Sequence, residues 1–196
     1  MPEGKQIAGC TVCCVLLIAS VTMFAVSWGS LEPPEMGVEY NANTLEINDE
    51  RLFENGRHFL GLGHSFIVYP KTLQTVKFSV ETGNPIVART KDGLTATLDV
   101  SFNYRLIATI AEMSALYLDF GEMEEVEIAY DRIARNWVRV VAARYTALQF
   151  FDIREEIQSD MQGTLDEQLR LAHGTVDNLQ FLQMRLPPAG GDRPAG

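Results

Sequence analysis

Cysteine is missing from nearly the whole chain. Cys10, Cys13 and Cys14 are the only three, and all sit in one apolar run near the N-terminus. No disulfide framework can therefore staple the remainder, and cysteine use says nothing about redox compartment. Basic residues are scarce as well: 16 Lys and Arg stand against 26 Asp and Glu, for a formal net charge of -10. A nucleic-acid surface needs clustered Lys and Arg, so that function class is excluded. Histidine occurs only as His58, His64 and His173, with no Cys or carboxylate beside them at ligand spacing, so no metal is expected. The nucleophile elbow Gly-x-Ser-x-Gly does not occur, which removes one hydrolase class. Gly61-x-Gly63 is followed by neither a phosphate-loop lysine nor a helix start. Glu124-Glu125 and Glu155-Glu156 fall in first turns of predicted helices, where the helix dipole accounts for them. The expectation is a protein that is not an enzyme and has no cofactor.

The first thing present is an apolar run. Ile7 to Trp28 contains no charged residue and is just long enough to cross a hydrocarbon core of about 30 Å. It is read as a transmembrane helix over residues 7–28, after a polar tail over 1–6, with Trp28 as an interfacial anchor. A signal peptide cleaved after Ser27 is the rival, because Ala25-Val26-Ser27 resembles a cleavage site. Lys5 lies on the N-terminal side, while acidic residues dominate the other flank up to Arg51. The positive-inside rule then puts the short tail inside and the following domain outside. Residues 29–35, with Pro33-Pro34, are read as a stiff spacer.

After the spacer the pattern turns to strands. Met36–Asn41, Thr44–Asn48, Leu73–Ser79 and Ile86–Thr90 read as short strands punctuated by turns. Lys91-Asp92-Gly93 reads as a hairpin turn. Leu94 to Arg105 alternates without a break. Ala96, Leu98, Val100, Phe102 and Tyr104 occupy one face, and Thr95, Thr97, Asp99, Ser101 and Asn103 a wet one. The period then changes. A short helix over 108–119 precedes a long one over 123–150, with Tyr130 and Trp137 on its core stripe. Asp152 with Glu155 is a capping-box pattern opening a further helix, whose Ile157, Met161, Leu165 and Leu169 recur every fourth residue. His173-Gly174 stops that helix, Val176–Leu186 is a last strand, and residues 187–196 form a disordered tail.

Four stretches, taken in this order, resemble the stomatin/prohibitin/flotillin family, the SPFH or band 7 domain. They are Asn55-Gly56-Arg57-His58-Phe59 with Tyr69-Pro70; the hairpin Arg89 to Leu106; Ile133 to Phe151 with Arg154, Ile157 and Leu165; and His173-Gly174 to Leu186. The resemblance implies an α+β domain over residues 36–186, antiparallel strands with two or three helices packed on them, behind an N-terminal single transmembrane helix. It implies action by assembly: a scaffold or accessory subunit of a larger membrane protein complex, prohibitin-like in arrangement. The mitochondrial inner membrane is favoured, with the domain in the intermembrane space and a respiratory complex as partner. The alternatives are a stomatin-like microdomain organiser, or a regulator of a channel or protease, at a plasma or ciliary membrane. A membrane-surface hydrolase ranks last. Partners would be membrane lipids, other subunits of the complex and other SPFH proteins. Family members that build large cages continue into a charged coiled coil, and no heptads follow Leu186 here. The expectation is therefore an accessory subunit rather than a cage former.

Two sets of residues are candidate contact sites. Cys10, Cys13 and Cys14 are acceptors for lipidation if they lie near cytoplasmic headgroups, against the competing reading of small residues packing in a membrane helix. Arg132, Arg135 and Arg139 could face an acidic partner or lipid headgroups, against a solvated helix face with Asp131 pairing to Arg135.

Overall fold

The computed structural model describes residues 3–186, and of residues 3–14 the backbone alone. The chain forms two compact units, Met1–Pro70 with Thr109–Ser114, and Lys71–Ala108 with Ala115–Gly196. The folding is mixed α and β, with antiparallel sheets throughout.

The first unit opens with helix α1 (Glu3–Val26) and continues in five strands, β1 (Trp28–Leu31), β2 (Glu35–Asn41), β3 (Glu46–Phe53), β4 (Gly56–Phe59) and β5 (His64–Pro70). β1 and β4 make a two-stranded ribbon, while β3, β2 and β5 make a three-stranded sheet in that order. The β2–β3 turn is held by the Asn41 side chain, whose oxygen accepts the N–H groups of Asn43 at 2.9 Å and Thr44 at 3.3 Å. Met36, Val38, Phe53, Ile67 and Tyr69 are buried and form the apolar centre.

The second unit is organised by β8 (Thr95–Leu106). β6 (Gln74–Phe78) and β7 (Ile86–Arg89) share one of its edges, and β9 (Gly174–Arg185) runs along the other. Ala96, Leu98, Val100, Phe102, Tyr104 and Leu106 are all buried. At about 1.5–3 kcal/mol for each large side chain, this one strand face is a major source of stability. α3 (Met123–Ala142) packs on β7 and on α5 (Arg154–Leu171), and α5 packs on β9. α2 (Ile110–Phe120) begins in the first unit and ends in the second. The Lys91-Asp92-Gly93 turn is present, with Gly93 at φ +82. The Asp92 carboxylate accepts the Thr90 hydroxyl, which holds it below the usual carboxylate range, and also the Ala147 N–H at 3.3 Å.

Several expectations give way. α1 ends at Val26, and Trp28 already pairs with Phe59 as the first residue of β1. Residues 28–31 are therefore a strand, and the prolines turn the chain between β1 and β2 instead of stiffening a linker. The helix over 123–150 stops at Ala142, and a short α4 (Gln149–Asp152) follows. The cause is local. Gln149 Oε1 accepts the Thr146 N–H at 2.8 Å, and the Thr146 hydroxyl accepts the Gln149 N–H at 3.4 Å, the reciprocal bonding of a helix start. Asp152 closes α4, and α5 starts without a side-chain cap. Asp99 is buried at 4% exposure, because it accepts the Val80 N–H at 3.1 Å and faces Arg185 at 3.4 Å. The polar face of β8 is thus partly a hydrogen-bonded layer. The tail over 187–196 lies outside the described residues.

Candidate functional site

The α3 face that carries the three arginines divides them between different tasks. Arg135 forks onto Asp131, with Nε at 2.7 Å, donates to the Pro85 carbonyl at 3.3 Å and lies 4.4 Å over the Phe78 ring. Arg139 donates to the Val87 carbonyl at 3.0 Å. Both fasten α3 to its own sheet. Arg132 alone opens onto a cleft of about 620 Å³ between β6 and α3, which Glu124, Glu127 and Ile128 also line. Tyr104 forms part of its floor. Burial and then the Glu127 charge push its hydroxyl up to about 12, so it stays protonated at neutral pH and cannot serve as a base. The cleft offers carboxylates and one edge of β6, an arrangement suited to contact with another chain. The core stripe of α3 is Val126, Tyr130, Ala134, Val138 and Val141, with Trp137 half-buried beside it.

The histidines each have a separate partner. His58 Nε2 lies 2.9 Å from the Glu54 carbonyl, with its ring among Phe53 and Phe66. His173 Nε2 lies 3.1 Å from Asp119, and its backbone takes φ +66 at the end of α5. His64 Nδ1 lies 2.6 Å from Glu39, whose second oxygen accepts the Asn48 amide at 3.0 Å. Sequence spacing missed that pairing, because only the β2–β5 register, Asn41 opposite His64, brings Glu39 diagonally alongside. Among the described residues no group of three His, Cys, Asp or Glu is placed to hold a metal.

These three sheets, the hairpin into β8 and the helix pair returning through β9 coincide with a known domain. The family model for the SPFH domain / Band 7 family matches residues 30–189. The chain belongs to the SPFH domain / Band 7 family. No curated protein matches it. In SPFH terms, the match begins inside β1 and takes in every later described element, leaving α1 before it.

The start of the SPFH domain holds the second candidate surface. The side chains of α1 that are described, Val15 to Val26, are exposed throughout. At its end Phe24, Trp28 and Phe59 form a three-ring cluster, with centroids 5.9 Å, 6.1 Å and 5.7 Å apart. Beside it Phe24, Trp28, Ser30 and Arg57 line a cleft of about 520 Å³. The Cys10, Cys13 and Cys14 side chains fall outside the described residues. Among the described residues no helix is long and apolar enough to cross a membrane.

Proposed function

We propose that this chain is a non-enzymatic, membrane-anchored SPFH protein, a scaffold or accessory subunit of a larger membrane protein complex. Family membership supports a scaffolding or membrane-organising role. The observation that carries the anchor is α1. Its described residues include Leu16, Leu17, Ile18, Val21 and Phe24, all more than half exposed, and none of residues 15–26 is charged. Covering side chains of this kind is worth about 1.5–3 kcal/mol each, so water is a poor surrounding for them. The uncharged stretch continues back to Ile7, which gives the helix enough apolar length for a bilayer. Lys5 before it and the acidic flank after it support an orientation with the SPFH domain outside. On that topology the reading takes the mitochondrial inner membrane, domain in the intermembrane space.

Membranes containing the full chain test this directly. After an alkaline carbonate wash the protein should stay in the pellet. After mild solubilisation it should migrate on a native gel well above its own mass, together with other subunits. Release by carbonate would remove the anchor, and migration as a free monomer would remove the complex.

A further inference from the structure

β6 has one finished edge and one open edge. It pairs with β8 over its whole length, from Gln74 opposite Tyr104 to Phe78 opposite Val100, and with no other strand among the described residues. The N–H and C=O groups of its second edge are left without a ladder, which makes that edge a template for another strand. β7, which follows β6 along the same side of β8, is treated differently. There α3 supplies donors, Arg135 to the Pro85 carbonyl at 3.3 Å and Arg139 to the Val87 carbonyl at 3.0 Å. Where α3 passes β6 it offers carboxylates instead. Glu124, Glu127, Ile128 and Asp131 recur at helical spacing on one wall of the cleft of about 620 Å³, and β6 forms the facing wall. Asp131 is taken by Arg135, and Lys77 pairs with Glu81 at 3.4 Å. Glu124, Glu127 and Arg132 make no ion pair among the described residues. Tyr104 closes the floor. It is 1% exposed, yet its hydroxyl opens to the cleft and makes no hydrogen bond with a described residue. Val76 lies on the same sheet face, only half-buried, and Ile128 on the helix wall is 47% exposed.

We propose that this cleft is a docking site for an extended, basic segment of a partner chain, which adds to the free edge of β6 as a further strand. The backbone of the segment completes the ladder that β6 leaves open. Its alternate side chains point under α3. Apolar ones cover Val76 and Ile128, and a lysine or arginine meets Glu124 or Glu127, with the Tyr104 oxygen as a second acceptor. Three observations favour this occupant. β6 is about 17 Å long and the wall from Glu124 to Arg132 about 12 Å, so a segment of about five residues lies along both. The open edge asks for a backbone, which a small ligand does not supply. Two unpaired carboxylates against one unpaired guanidinium, in a chain of net charge -10, repel a second copy of this chain and attract a basic partner. The inference rests on the reading of the chain as a scaffold, for which it supplies a place where one partner is held, and it does not depend on α1.

The test titrates the full chain, in a non-ionic detergent, into the fluorescein-labelled peptide Thr-Lys-Thr-Val-Thr-Lys-Thr and reads anisotropy. Saturable binding is expected, and a counterpart with Glu in place of both lysines should bind about tenfold more weakly. Backbone N-methylation of the three central residues keeps the side chains and blocks the ladder, and should also weaken binding about tenfold. Glu124→Lys with Glu127→Lys should have an effect of the same size. Glu155→Lys with Glu156→Lys makes the same charge change on α5 and should leave the affinity within about twofold. The peptide comparisons use the parent protein, so they decide even where a variant folds poorly. Absence of saturable binding, or equal binding of the N-methylated peptide, overturns strand addition. Equal losses from the two charge reversals overturn the assignment to this cleft. Peptide binding by a chain that runs as a free monomer on the native gel leaves the docking site standing and removes the complex. A complex on the gel without peptide binding removes the site alone.

Discussion

β8 and the β1–β4 ribbon both carry aromatic residues on one face, and they put them to opposite use. Phe102 and Tyr104 on β8 are 1% exposed, in a series of ring contacts with Phe78 and Tyr130. Trp28 and Phe59 on the ribbon pair just as closely, at 5.7 Å, yet stand 45% and 58% exposed. What differs is the layer above. The aromatic face of β8 is roofed by side chains of its own unit, such as Tyr130 on α3. Among the described residues, the outer face of the ribbon meets Phe24 at the end of α1, a helix that is itself apolar and exposed. Period-two alternation thus tells that one face of a strand wants cover, and leaves open whether protein or lipid supplies it.

The comparison makes Phe102→Ala the most damaging change considered. It empties a site that is 1% exposed, and should cost about 3–5 kcal/mol. Denaturant unfolding of the detergent-solubilised chain, followed by tryptophan fluorescence, measures it. A cost below about 1 kcal/mol would mean that β8 is not the centre of its unit.

Next comes Gly174→Ala, at the start of β9. The added Cβ would lie 2.6 Å from the Tyr130 hydroxyl, which is itself held by donating to the Ala172 carbonyl at 2.6 Å. Overpacking of this kind costs about 1–3 kcal/mol. Tyr130→Phe removes the atom in the way, so the double variant should be less damaged than the sum of the two single changes. Strict additivity would show that some other contact makes glycine necessary at 174.

A smaller effect is expected at Asp166, which ties α5 to β9. Burial works against its charge. The Arg170 guanidinium at 2.8 Å, the Val176 N–H at 2.9 Å and the Thr175 hydroxyl at 3.0 Å more than offset this and hold the carboxyl below its ordinary value of 3.8. A group whose pKa is lower folded than unfolded contributes stability in full above the unfolded value. That contribution fades as the pH falls toward the folded one. Asp166→Asn should therefore cost about 1–2 kcal/mol at neutral pH, and the difference from the parent should shrink below about pH 4. A difference that stays constant into acid would mean that the amide loses shape rather than charge.

The signals that were legible in sequence were local ones. The alternation of β8, the Lys91-Asp92-Gly93 turn and the four-residue spacing of Ile157, Met161, Leu165 and Leu169 each need only neighbours along the chain, and each element formed. The long arginine-bearing helix was overextended because Tyr145 and Phe150 look like a continued apolar stripe. The Thr146-x-x-Gln149 pattern that restarts the helix is four residues long and easily overlooked. The Glu39–His64 pair and the role of residues 28–31 as a strand were hidden for a different reason. Both depend on which strand lies beside which, and a partner 25 residues away leaves no periodic mark. The division of the three arginines was hidden in the same way, because Arg135 and Arg139 are engaged by carbonyls of residues 85 and 87, far from them in sequence.

The smallest effect on folding is expected at Phe59, and there the contrast with Phe102 is most direct. Both are strand phenylalanines opposite an aromatic or apolar residue. Phe59→Ser removes ring contacts with Phe24 and Trp28 but opens no interior cavity, so its cost in detergent should be about 1 kcal/mol or less. A serine at 59 withdraws apolar area from the outer face of the ribbon while leaving α1 untouched. The variant should unfold in detergent almost as the parent does and remain resistant to carbonate. If Phe59→Ser instead destabilises the detergent-solubilised protein as severely as Phe102→Ala does, the ring is a core residue of its unit, and the difference between the two strand faces disappears.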